Sequence, residues 1–468
     1  HLPVWVTATC DFTRFDDLNT SAGEDVFLNK SSGGIALFTT VRVAYSRPNF
    51  PINDNVIRNL FERNNGRRRT LGEVMQATKN TLSSVYKLGF CLIGDPAVKM
   101  AYPEFGMKVT TVNGQSVDGN SISFKALEKI TVEGEVLDAS GQLVTDFTGI
   151  VNPTVKDSKV TVTCLKNSNK DDSPAFTFTD YPNTIFIGND SVRNGKFSFT
   201  FTVPKDISYS NLQGKMNLYA VDTESGNEAQ GNFDNFIVGG TSDTAETDTI
   251  GPEIRALYLN DTTFVDGGQV NTTPYFVAEL WDKSGVNITG SSVGHDMMLV
   301  IDESTVLSYN LNSYYELLLG EDGTGIVKFP IPALEPGKHT AEFWVWDILN
   351  NSTVRTFTFE VVEGLKPFLF DVIATPGIAR EQVTFHLMHN RPESRMRVGI
   401  MVYDLAGRQL WKHEESGTSG LFENYTVSWD LTSGGARMRP GVYIYRAAIS
   451  TDNSKDATKA RKFIILGE

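Results

Sequence analysis

Near Pro103 the chain changes its hydrophobic period. Before it, short apolar runs alternate with segments whose apolar residues recur every three or four positions. That mixture predicts strands and helices in turn. Pro3-Val4-Trp5-Val6-Thr7-Ala8-Thr9-Cys10 reads as a strand, and Ile35 to Val43 as another. Ser21-Ala22-Gly23-Glu24 and Thr70-Leu71-Gly72-Glu73 have the spacing of capping boxes, which open helices. A helix is expected over Asp54–Arg63 with Ile57, Leu60 and Phe61 on one face. A further helix should follow Thr70, with a stripe of Leu71, Val74, Met75, Thr78 and Leu82. A short strand then ends at Gly94-Asp95-Pro96. This order implies a mainly parallel sheet covered by helices.

After Pro103 strict alternation takes over and helical patterns nearly vanish. Ile130, Val132 and Val136 mark one strand face; Phe197, Phe199, Phe201 and Val203 mark another. Residues 104–240 read as a β-sandwich and 241–250 as a polar, acidic linker. Residues 251–364 read as an Ig-like sandwich, with alternating strands at Phe343–Asp347 and Phe357–Val361. Residues 365–468 read as a terminal β-module, with Val398, Ile400 and Val402 in alternation and a final strand at Lys462–Leu466. The expected fold class is multidomain: a partial α/β domain at 1–103, then β-sandwich modules.

Composition bounds function more than fold. The net charge of −14 argues against a nucleic-acid surface or a basic membrane footprint. The one dense basic run, Arg67-Arg68-Arg69, reads as a solvated turn between helices. No apolar stretch is long enough to cross a bilayer as a helix. Three cysteines do not form a disulfide framework, and Cys91 and Cys164 read as core residues. The six histidines show no metal-ligand spacing, so neither metal nor cofactor is expected. Asp243, Glu246 and Asp248 offer oxygen ligands for calcium, although a solvated linker is the simpler reading. Cys10 stands apart. A thiol at a strand's carboxyl end can point into the crevice where open α/β sheets hold ligands, although a buried structural cysteine is the simpler reading.

Residues 1–103 resemble the carboxyl half of a gingipain-type cysteine peptidase domain, of caspase-like fold. The matching residues are Thr7-Ala8-Thr9-Cys10-Asp11-Phe12, Ser21-Ala22-Gly23-Glu24-Asp25, Ala36-Leu37-Phe38-Thr39-Thr40-Val41-Arg42-Val43 and Gly94-Asp95-Pro96-Ala97. The terminal module resembles the type IX secretion carboxyl-terminal domain through Tyr403-Asp404-Leu405-Ala406-Gly407-Arg408 and Gly441-Val442-Tyr443-Ile444-Tyr445-Arg446. The resemblance implies that Cys10 is the nucleophile. A free thiol is mostly protonated at neutral pH, so such a nucleophile needs an adjacent base. In this family the catalytic His lies upstream of the cysteine. His1 shares the strand with Cys10 and would sit about 30 Å away at 3.3 Å per residue. The other histidines fall in β-modules, so the chain is expected to carry an incomplete dyad and to be the later part of a longer protein.

The strand and loop after the nucleophile form a specificity wall in caspase-like folds, which points to Thr39, Thr40, Arg42 and Tyr45. Arg42 would pair with a substrate carboxylate or stand on a solvated face. The resemblance further implies a cell-surface peptidase and sortase of a Gram-negative, Bacteroidetes-type bacterium. It would remove the carboxyl-terminal domain of type IX cargo proteins through a thioester and pass the cargo to anionic lipopolysaccharide. Implied partners are the outer-membrane β-barrel PorV, with PorQ and PorZ. The competing functions are a secreted gingipain-like endopeptidase and a non-enzymatic surface adhesin. Tyr443/Tyr445 and Trp411/Trp429 read as core or as contact residues.

Overall fold

The computed structural model describes residues 2–30, 32–64, 66–167, 174–243, 248–290, 294–318, 323–451 and 453–466. His1 and Glu246, both considered from the sequence, lie outside the described residues. The chain folds into two compact units. The first comprises His1–Gly106 with Val136–Val144 and Ser225–Gln230; the second comprises Met107–Glu135, Thr145–Glu224 and Gly231–Glu468.

In the first unit, β1 (Val4–Val6) and β2 (Ala36–Thr40) pair in parallel, Trp5 opposite Leu37. Between them lies α1 (Ala22–Leu28), opened by the expected box: the Glu24 carboxylate accepts from the Ser21 amide at 2.9 Å. α2 (Ser46–Phe61) and α3 (Leu71–Thr81) follow, and β3 (Phe90–Gly94) closes the sheet antiparallel to β2. The sheet is therefore not mainly parallel. One crossover helix returns the chain for a parallel strand, whereas the pair α2 and α3 turns it once more, so β3 runs the other way.

Every residue of β2 is buried. Against it pack Ile52, Val56 and Leu60 of α2 and Leu71 and Val74 of α3. α2 starts well before Asp54, and its stripe is shifted from the expected one. Ile57 and Phe61 are 46% and 55% exposed. α3 keeps the expected face, with Thr70 accepting from the Glu73 amide at 3.3 Å. The arginine run enters a two-stranded ribbon, Arg63–Asn64 against Arg67–Arg68, with Arg67 exposed and Arg68 and Arg69 half-buried. Arg67 pairs with Glu73, Arg68 with Glu104 and lies over the Tyr102 ring, and Arg69 pairs with Glu62.

The second unit is built of β-sheets, as alternation predicts. Phe197–Phe201 pairs antiparallel with Ile130–Gly134, and Phe197, Phe199, Phe201, Ile130 and Val132 are all buried. Next come a four-stranded and a five-stranded sheet whose inner faces share one core around Phe276, Phe343 and Phe359. Phe343 and Val345 enter that core while Trp344 and Trp346 remain half-buried on the other face. The terminal module packs a three-stranded sheet against a five-stranded one around Phe385, Tyr445 and Phe463. Tyr443, Tyr445 and Trp429 are core residues, and Trp411 stacks on Trp429 at 4.4 Å. Cys164 is half-buried after a two-stranded ribbon, and Cys91 is half-buried on β3, so neither is the core residue expected.

Candidate active site

The loop that carries Cys10 is fixed by hydrogen bonds more than by apolar packing. β1 ends with the Thr7 amide donating to Phe38 O at 2.9 Å. Thr7 Oγ1 donates to Thr39 Oγ1 at 2.9 Å, and Thr13 Oγ1 lies 3.0 Å from the same oxygen. These three threonines are 7%, 1% and 0% exposed in the order Thr7, Thr13, Thr39. The Thr40 hydroxyl donates to Thr9 O, and the Thr13 amide to Thr40 O. The loop is thus stitched to β2 at residues 7, 9 and 13. α1 presses on it from outside: a Cβ at Gly23 would lie 1.8 Å from Thr13 Oγ1, which only glycine avoids.

Between these stitches the chain bulges outward and presents Cys10, which is exposed. Its thiol donates to Ala44 O at 2.7 Å, in the loop that follows β2. Asp11 takes φ +50°, a left-handed conformation uncommon outside glycine and concentrated at functional sites. A reactive side chain offered on a strained loop between two buried anchors is the arrangement a nucleophile needs.

Thr39 and Thr40, expected on a specificity wall, are buried in this structure. Both side chains turn inward and spend their hydroxyls on the Cys10 loop, so they position that loop instead. Arg42 is engaged within the chain: its guanidinium meets Asp16 at 3.0 and 2.6 Å, and this pairing holds the Asp16 carboxyl below its usual range. Tyr45 is 68% exposed, one residue beyond Ala44, and stands edge-on to Tyr86 at 5.9 Å. It remains the sequence-selected residue open to a ligand beside the thiol. Thr7 escaped sequence reading because threonine in a strand pattern passes as an ordinary β-former, and Thr13 and Asp16 because they lie in a loop and act on Thr39 and Arg42, 26 residues away.

Histidines at 295, 339, 386, 389 and 413 all belong to the second unit. His295 meets Asp206 at 2.6 Å, and His389, driven down to about 4 by burial, meets Ser419. None stands among residues 2–106.

Asp248, a candidate oxygen ligand in the sequence, meets two acids not singled out for that role: Asp248, Asp282 and Asp347 bring one carboxylate oxygen each within 4.8 Å of one another, and Asp243 is not part of the group. These are hard oxygen donors of the kind calcium takes. Burial pushes Asp282 up to about 6 and raises Asp347, while the Ile250 amide lowers Asp248. The signal was two turn motifs, Asp282-Lys283-Ser284-Gly285 and Asp347 to Asn351, whose amides bind the aspartates.

Cys10 thus stands exposed on the loop four residues beyond β1, in the α/β unit. Residues 1–101 match the model of peptidase family C25, which supports a gingipain-type family relationship for that segment. It is similar to dimeric latent PorU from Porphyromonas gingivalis, with 37% identity over 88% of this chain, 39% of that one and a TM-score of 0.38. The complex of RgpB pro- and mature domains from the same organism matches at 17% identity, over 51% of this chain and 46% of that one, TM-score 0.20. A tetra-tandem repeat from the extending region of a large adhesion protein matches at 15% identity, over 78% and 74%, TM-score 0.17. No curated protein sequence matches. The chain spans about two-fifths of the length of the PorU it matches. The fold is the expected multidomain one, a partial α/β domain followed by β-sandwich modules, and no helix among the described residues is long and apolar enough to cross a membrane.

Proposed function

We propose that residues 2–106 are the nucleophile-bearing part of a cysteine peptidase that acts as a sortase at the cell surface. One observation carries the reading: Cys10 is exposed on a strained loop whose two sides are anchored by buried threonine hydroxyls. In the reaction the Cys10 thiolate attacks the carbonyl carbon of a cargo peptide bond. The C–N bond breaks, the thiol's proton passes through a base to the leaving amine, and a thioester remains. An amine on anionic lipopolysaccharide, or water, then attacks the thioester and returns the proton to sulfur. The base must come from outside residues 2–106, because no histidine stands there. That base would take the proton that the thiol donates to Ala44 O in the resting contact.

The cargo bond is the one before a type IX carboxyl-terminal domain. The enzyme stands at the outer membrane, its terminal module held by PorV in a complex with PorQ and PorZ. The test is Cys10→Ala in the full-length protein in its own cell. Cargo should retain its carboxyl-terminal domain, read by mass spectrometry of the cargo termini. Normal cargo processing by that variant would end the proposal. Release of the protein from the membrane on deletion of residues 366–468 would support the anchoring role.

A further inference from the structure

The terminal module is charged differently from the rest of the chain. Residues 365–468 carry fourteen lysines and arginines against eleven acids, +3 in a chain whose total is −14. Part of that excess lies on one surface. In the five-stranded sheet the strand partners define rows of side chains. Ile378, Ile464 and Val442 form the first row across three strands. Lys462, Ile444 and Tyr403 form the next. Arg446, Met401 and Lys412 form the third.

Residues that alternate with these, among them Phe463, Ile465, Tyr443, Tyr445 and Val402, fill the module's core. The three rows therefore stand on the opposite, outer face. Ile378 is 56% exposed and Val442 39%, and the lysines and the arginine are exposed. No carboxylate stands in the rows. Lys412 pairs along its own strand with Glu414, while Arg446 and Lys462 make no ion pair among the described residues. On the inner side the cations are satisfied: Lys459 donates to Phe370 O and Arg461 pairs with Asp371. The sheet thus keeps its unneutralised charge for the outside, beside an apolar row.

We propose that this face docks on an anionic lipid layer. Exposed Ile and Val side chains reach the boundary between head groups and acyl chains, while long cationic stems beside them meet the head-group anions. The chain's overall charge does not forbid this, because exposed charges farther away than about 8 Å are screened at physiological salt. An acidic protein surface is the competing partner, and it would not distinguish vesicles by lipid charge.

Co-sedimentation of the full chain with vesicles tests the assignment. Phosphatidylcholine vesicles containing phosphatidylglycerol should capture it at low salt, pure phosphatidylcholine vesicles should not, and molar salt should release it. Each cation near an anionic surface contributes roughly five-fold in partition, so Arg446→Gln with Lys462→Gln should lower capture on the order of 25-fold. Thermal melting should confirm that this exposed double variant folds. Val442→Ser should weaken capture further without altering its salt dependence. Equal capture by neutral vesicles, or full capture by the double variant, would overturn the proposal. So would tight binding to soluble polyphosphate with no capture by vesicles.

Discussion

Around Cys10 the buried contacts are made by hydroxyls; in the terminal module they are made by rings. Thr7, Thr13 and Thr39 meet at one oxygen, each bond directional and none replaceable by mere volume. Phe385 lies 4.9 Å from Tyr445 and 6.0 Å from Phe463 by ring centroids, contacts that depend on filling space. A loop held by directional bonds can present a side chain at a fixed point while burying little apolar area. A sandwich held by rings is stable but points at nothing. The two regions divide the work accordingly, one aiming a thiol and the other supplying a durable body.

The largest expected effect tests the ring-built side. Phe385→Ala should cost about 3–5 kcal/mol through lost burial and the cavity left behind. Denaturant unfolding followed by tryptophan fluorescence reports it, since Trp429 and Trp411 belong to or line the same core. The alkylation rate of Cys10 should stay unchanged. If that rate moved with the unfolding midpoint, the division of work would be wrong.

An intermediate effect separates the first unit from the middle sandwich, built of rings like the terminal module, by pH. Asp282 titrates near 6 in the fold against 3.8 when unfolded, because burial disfavours its charge and Asp347 and Asp248 add to this. The folded state therefore holds this proton more tightly than the unfolded chain. Asp282 weakens its module above about pH 6, and acidification from 7 toward 4 relieves the cost, at most about 3 kcal/mol. Asp282→Asn should stabilise at pH 8, with its advantage shrinking as the pH falls to 5, measured as the difference in melting between variant and parent. Glu73 in the first unit has the opposite sign. Its pairing with Arg67 and the Thr70 amide holds it near 2, so its contribution is full above 4.5 and fades in acid. An Asp282→Asn advantage that grows with acidification would contradict this assignment.

What the sequence disclosed follows the same line. Alternation marked the ring cores because burial repeats every second residue, and Phe199, Phe201, Val398 and Ile400 are buried as read. Both capping boxes were legible because Ser21/Glu24 and Thr70/Glu73 act over three residues. Sheet direction was not, since it depends on how many helices intervene. Nor were Thr13 and Asp16, which act across 26 residues on Thr39 and Arg42. Long-range polar contacts leave no period in a chain, and the candidate site consists largely of them.

The smallest expected effect probes that hidden part. Thr39→Val keeps shape and burial but removes the oxygen that both Thr7 and Thr13 use. Thr7 retains Phe38 O as a long alternative at 3.5 Å, whereas Thr13 loses the one side-chain partner described for it. The cost should be about 1–3 kcal/mol, since a buried hydroxyl is left unpaired. More telling is the thiol: with the stitch at Thr13 loosened, the loop should open more often and iodoacetamide should modify Cys10 several-fold faster. Thr39→Ser restores the oxygen and should restore the slow rate while losing only a methyl's packing. Were the two variants to alkylate alike, volume rather than the hydroxyl would hold the loop, and the Cys10 region would be built on the same terms as the sandwiches.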